Sequence, residues 1–178
     1  MRKNNVLHKL ARPLFLAGLF ACLVATGGCG HKTKRGSYFD AQHGFSFNPP
    51  TGWVIKPTPG AKFPVWTDAT QKGFSRIINL DNEQFDGSLD DYTNANLATL
   101  KNNKDFNIVK QDTFETDDGP TAYHLISDTT NGTVHLRQHF FLYDGGSQKF
   151  VLCYTSLAAD RDTHDAEAMV MAKSFRIE

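Results

Sequence analysis

The densest set of side chains able to do chemistry lies in two neighbouring apolar runs late in the chain, where His124, Asp128, His135, Arg137 and His139 recur. Asn131-Gly132 separates the two runs and signals a two-residue hairpin loop. With that loop, Thr130 faces Thr133, and by extension His124 faces His139 and Asp128 faces His135. Arg137 then shares the face of both histidines, because strand side chains alternate. Directly opposed Cβ atoms approach to ~5 Å. Two imidazoles at that distance are candidates for a weak shared transition-metal site. They are equally candidates for a pH-sensitive pair near the ordinary imidazole pKa of ~6.5. The plainer reading is a hydrogen-bonded pair on an amphipathic sheet, partly covered by a helix.

Other groupings carry less. Asp81, Glu83, Asp86, Asp90 and Asp91 crowd one segment. Calcium loops place oxygen ligands at alternate positions, and Phe85 interrupts that series. These acids instead suit a solvated loop before a helix N-terminus. Cys153 sits between Leu152 and Tyr154 in an apolar run, where a buried, inert thiol is expected. The chain holds no nucleophile elbow, no His-Glu-x-x-His and no phosphate-binding glycine loop. No enzyme activity and no cofactor are expected.

The first thirty residues say where the protein works. A basic start with Arg2, Lys3, Lys9 and Arg12 leads into the apolar run Leu14–Val24, then Ala25-Thr26-Gly27-Gly28-Cys29. This is the layout of a secretory leader. The apolar run is shorter than the ~20 residues needed to cross a bilayer. Small residues directly before Cys29 resemble the lipobox of bacterial lipoprotein precursors, although Thr26 stands where that pattern prefers Leu. The resemblance implies cleavage before Cys29, acylation of its thiol and anchoring to a membrane in the cell envelope. Gly30 stands where the inner-membrane retention signal has Asp, so the periplasmic face of an outer membrane is implied if the host has two membranes. Stable anchoring takes more than one acyl chain, and such lipoproteins carry two or three. The expected division is a leader over 1–28, a polar tether over 29–37 and one globular domain over 38–178.

The leader takes four basic residues and no acid, leaving 15 basic against 19 acidic residues, a balance of about −4. Nucleic acid is therefore a poor partner, since phosphate binding needs clustered Lys and Arg. Only Cys153 remains besides the acylated Cys29, so no disulfide within the domain and no cysteine-based zinc site is expected.

The elements that must position these residues are legible. Phe45-Ser46-Phe47 reads as a strand, followed by the turn Asn48–Gly52 and a strand at Trp53–Ile55. Phe63–Trp66 is a short edge segment, and Phe74–Leu80 a stronger strand. Ser88 and Asp91 form a capping-box pattern before a helix striped with Leu89, Tyr92, Leu97 and Leu100. Four strands follow over 106–115, 121–128, 133–143 and 149–155, with turns at Asp117-Asp118-Gly119, Asn131-Gly132 and Gly145-Gly146. A second helix is expected over about 162–173, with Asp162, Asp165 and Glu167 at its positive end. The fold class is α+β: one domain with an antiparallel β-sheet flanked by helices. Tyr38, Phe39, Phe63 and Trp66 fall in irregular segments and are the candidates for an exposed partner surface.

Several segments resemble PsbP-like and DcrB-like domains. Gly44-Phe45-Ser46-Phe47-Asn48-Pro49-Pro50-Thr51-Gly52-Trp53 resembles their opening, and Ser88-Leu89-Asp90-Asp91-Tyr92 their first helix. Gly119–Tyr123 is similar to the glycine-led strand that follows, and Ser174-Phe175-Arg176-Ile177 to their ending. The resemblance implies an α/β/α sandwich with Trp53 and Phe175 in the core. It also implies action by binding protein: relatives include photosystem II accessory proteins, envelope lipoproteins and a transport factor that binds a small GTPase. A shared fold transfers no single function. The expectation is a membrane-anchored, non-enzymatic envelope lipoprotein that serves as an accessory or protein-binding module. The alternative is a small-ligand or metal-binding module. The first predicts an apolar patch near Phe63 and Trp66; the second predicts a concave pocket with converging polar groups.

Overall fold

The structure, a computed structural model, describes residues 31–32, 36–59, 61–69 and 73–178. Cys29 and the leader lie outside the described residues.

Eleven strands and two helices are described. The strands are β1 His31–Lys32, β2 Tyr38–Asp40, β3 Phe45–Phe47, β4 Val54–Lys56, β5 Val65–Thr67 and β6 Ile77–Gln84. Helix α1, Leu89–Asn102, follows, then β7 Phe106–Glu115, β8 Thr121–Asn131, β9 Val134–Gly145 and β10 Gln148–Leu157. Helix α2, Arg161–Lys173, and β11, Arg176–Ile177, close the chain. One antiparallel sheet runs in the order β1-β4-β5-β6-β10-β9-β8-β7, and a second runs β11-β3-β2. β1 lies in the segment expected as a tether: His31 and Lys32 pair with Ile55 and Val54.

Both faces of the large sheet are covered, which explains why β9 and β10 read as nearly unbroken apolar runs. On one face Leu125, Phe140, Leu142, Val151 and Cys153 meet Leu89, Tyr92, Leu97 and Leu100 of α1. On the other, Phe141, Tyr143, Phe150, Leu152 and Tyr154 meet Ala168, Met171 and Ala172 of α2, together with Phe45, Phe47 and Phe175. The small sheet shares this second layer with α2. Trp53 and Phe175 are buried there. Phe175 stacks 4.1 Å from Tyr143.

The expected capping box forms: Asp91 N–H donates to Ser88 Oγ at 3.1 Å and Ser88 N–H to Asp91 Oδ2 at 3.3 Å. Asp90 accepts from the Tyr123 hydroxyl at 2.8 Å, which ties α1 to the sheet. Cys153 is buried, and burial pushes its thiol up to about 12.

The partner-surface expectation is corrected at two positions. Phe63 and Trp66 are core residues, with Trp66 fully covered. Tyr38 and Phe47 pack edge-on against Trp66, each with ring centroids 4.9 Å away, and Phe45 packs edge-on against Phe63 at 5.5 Å. β2 looks irregular in sequence. It pairs with β3, which pairs in turn with β11 at the far end of the chain, and the three strands make a lid over β5. Tyr38 is half-buried in that lid, and only Phe39, at 57% exposure, remains open.

Candidate functional site

The hairpin between β8 and β9 turns one residue later than expected. Asn131 pairs with Val134, and Gly132-Thr133 forms the loop. Gly132 has φ +60° and Thr133 has no positive φ. Positive φ at the first loop position alone is what a type II′ turn requires, and glycine supplies it without strain. His124 therefore faces Phe141, and His139 faces Ile126. Moving the loop by one residue moves each partner by two, so every side chain keeps its face. The histidines remain on one face as diagonal neighbours. Asp128 faces Arg137 rather than His135, and His135 instead meets the Thr130 hydroxyl at 3.1 Å.

The imidazoles close that diagonal. His124 Nε2 and His139 Nδ1 are 3.0 Å apart, with the rings nearly parallel at 13°. His124 is 3% exposed and His139 is fully buried. Phe141 stacks on His124 at 4.6 Å, and Tyr154 stands edge-on to His139 at 6.0 Å. His139 Nε2 reaches Asp165 Oδ1 of α2 at 3.1 Å. Asp112 of β7 brings Oδ1 to 3.1 Å from His124 Nδ1, and both atoms are buried without an aligned hydrogen bond. Arg137 forks onto Asp128 at 2.8 and 3.0 Å and reaches Asp165 at 3.4 Å. Lys110 holds the outer oxygen of Asp112 at 2.7 Å.

Burial, and then the neighbouring His139, push the His124 pKa down to about 4. Burial also lowers that of His139, against the pull of Asp165. The ring nitrogens that would bridge a metal are turned onto each other. Among the described residues no group of three or more His, Cys, Asp or Glu side chains is arranged to hold one.

A second polar cluster sits on the other flank of α2. Arg76, just before β6, donates from Nε to Asp68 at 2.7 Å and from Nη1 to Glu167 at 2.6 Å and to the Tyr154 hydroxyl at 3.2 Å. Its guanidinium lies 5.3 Å from the centre of the Trp53 ring. His164 Nδ1 is 2.9 Å from Arg76 Nη1. The Tyr154 hydroxyl donates to Glu167 at 2.7 Å. Burial opposes the Arg76 charge, but Asp68, Tyr154 and Glu167 outweigh it and raise the guanidinium pKa. A cavity of about 380 Å³ opens beside this cluster, lined by Asp68, Gly73, Phe74, Arg76, Leu157, Asp160 and His164. With Glu167 behind, one guanidinium faces three carboxylates, which disfavours anionic ligands.

Sequence reasoning found the histidine pair and Arg137 but missed this cluster. Its members come from four separate segments, and the one local signal was His164 and Glu167 three apart on α2. Asp165 was expected only to complement the helix dipole; it is instead the link between α2 and the histidines.

Similar folds appear among solved structures. The cyanobacterial PsbP protein of Synechocystis is 18% identical, with a TM-score of 0.62 over 85% of this chain and 98% of its own. The chain has the PsbP-like fold. LpqN of Mycobacterium tuberculosis, involved in cell envelope biogenesis, is 16% identical, with a TM-score of 0.57 over 75% of this chain and 82% of its own. The yeast Ran-binding protein Mog1p is 12% identical, with a TM-score of 0.50 over 81% of this chain and 96% of its own. No protein-family profile and no curated protein matches the sequence. At these identities the likeness concerns the PsbP-like fold, and it agrees with the α+β sandwich expected from the sequence.

Proposed function

We infer that this protein is a lipid-anchored envelope protein that acts by binding, without catalysis, as an accessory to another envelope protein. The observation that carries the anchor is the leader ending in Gly27-Gly28-Cys29. Among the described residues no helix is long and apolar enough to cross a membrane, so an anchor at Cys29 would supply the attachment. The binding role is supported by the PsbP-like fold, which LpqN, involved in envelope biogenesis, and the Ran-binding Mog1p share. The test is the intact mass of the mature protein with its partition between membrane and soluble fractions. The expected chain starts at an acylated Cys29 and sediments with membranes, and Cys29→Ser releases it. An unmodified mature chain in the soluble fraction would refute the anchor.

A second reading has an observation of its own. The apolar patch expected near Phe63 and Trp66 is buried core, whereas a concave site with converging polar groups exists beside Arg76 and His164. That contrast favours a small neutral or cationic ligand as at least part of what is bound. Isothermal titration with small amines and polar neutral metabolites tests it. Saturable binding abolished by His164→Phe supports it, and flat titrations across the panel refute it.

A further inference from the structure

We propose that Asp112, His124, His139 and Asp165 form a site that takes up one proton, at the His124 ring nitrogen facing edge strand β7. The hydrogens can be counted. His139 Nε2 must carry a proton to meet the Asp165 carboxylate at 3.1 Å. In the neutral ring Nδ1 is then an acceptor, so the 3.0 Å contact requires the hydrogen to sit on His124 Nε2. That leaves His124 Nδ1 bare, and it faces Asp112 Oδ1 at 3.1 Å, one acceptor against another. Both atoms are buried and neither has a hydrogen-bond partner. Every other nitrogen of the two rings is committed. A first added proton therefore has one place to go, His124 Nδ1, where it turns the bare contact into an ion pair across β7 and β8. A second proton would have to land on His139 Nδ1 and would break the contact between the rings.

The surrounding charges agree with one proton. From β7 come Lys110 and Asp112, from β8 Asp128, from β9 Arg137 and from α2 Asp165. Three carboxylates against two cations leave one negative charge, which a single imidazolium cancels. Tyr154 of β10 stands edge-on to His139, and its hydroxyl is committed to Glu167 and Arg76, so it adds no charge. Asp112, 38% exposed, gives the proton a route in from solvent. The contact with Asp112 places the proton between β8 and β7, whose pairing is already irregular between Ile108 and Lys110.

The experiment is nitrogen-15 NMR of the histidine rings of the folded protein between pH 7.5 and acid, beside Asp112→Asn. The expected wild type shows His139 fixed with its proton on Nε2, and one proton taken up at His124 Nδ1 well below the ordinary imidazole range. Amide protection of β7 falls as that proton arrives, because a ring that binds a proton more weakly under β7 than in the open strand favours opening once protonated. The carboxamide that Asp112→Asn introduces can donate to His124 Nδ1, and the substitution removes the carboxylate that favours the imidazolium. Proton affinity at His124 should therefore fall by about tenfold or more. Two rings titrating independently near their ordinary pKa, uptake at His139 first, or a His124 titration unmoved by Asp112→Asn would each overturn the proposal. The wild-type titration decides the case even if the variant fails to fold.

Discussion

Acid should weaken this fold well before its carboxylates titrate, and His124 should account for most of the effect. In the unfolded chain His124 protonates near 6.5; in the fold, burial and His139 hold that step down to about 4. As pH falls through that window the unfolded state binds the proton and the native state does not. Stability is therefore present above about pH 6.5, declines between 6.5 and 4, and then levels off. Two and a half pKa units at 1.36 kcal/mol each give about 3 kcal/mol. That is a large part of the 5–15 kcal/mol typical of a domain. His139 is shifted the same way and adds to the decline. For a domain of this size the loss corresponds to about 6–12 °C in melting temperature. The assay is urea unfolding at steps from pH 7.5 to 4.2, repeated on His124→Phe. Phenylalanine keeps the stacking on Phe141 but strands His139 Nδ1, so the variant should be about 1–3 kcal/mol less stable at pH 7.5. Its curve should then be much flatter toward acid. A wild-type stability that is level from pH 7 to 4.5, or a variant with the same slope, would show that His124 is not the group responsible.

Three further outcomes follow from the packing. Arg76→Met should cost about 2–3 kcal/mol in chemical unfolding, below the 3–5 typical of a broken buried pair because Glu167 is one-third exposed and screened. Phe175→Ala should cost about 3–5 kcal/mol by the same assay, since it removes the ring that joins Tyr143, Phe45 and Phe150 where the two sheets meet. Ser88→Ala removes the acceptor for the Asp91 amide and should cost about 1 kcal/mol, with faster amide exchange in the first turn of α1.

What was legible in the sequence was local. The α1 capping box and the turn after β7 each depend on a few adjacent residues, and the structure keeps them, while the turn after β9 moves one residue on, to Gly146-Ser147. The histidine face survived an error in the loop because side-chain direction depends on parity alone. What was hidden is non-local. Nothing near Trp66 announces that Tyr38 and Phe47 will cover it, because that lid is closed by β11, more than a hundred residues away. The Arg76 cluster is hidden for the same reason: Asp68, Tyr154, His164 and Glu167 meet only once β6, β10 and α2 are stacked. The role of Asp165 followed from the packing of α2 against β9, which no pattern within the helix specifies.

If the chain works by engaging another envelope protein from a lipid anchor, that partner should be recoverable with it. The deciding experiment is crosslinking and affinity capture of the tagged protein from native membranes, with Cys29→Ser run beside it. The expected result is one reproducible envelope protein, lost or much reduced with Cys29→Ser. A wild-type protein that sediments with membranes yet captures no partner would contradict the binding role and leave the cavity beside Arg76 as the place to look for what this protein binds.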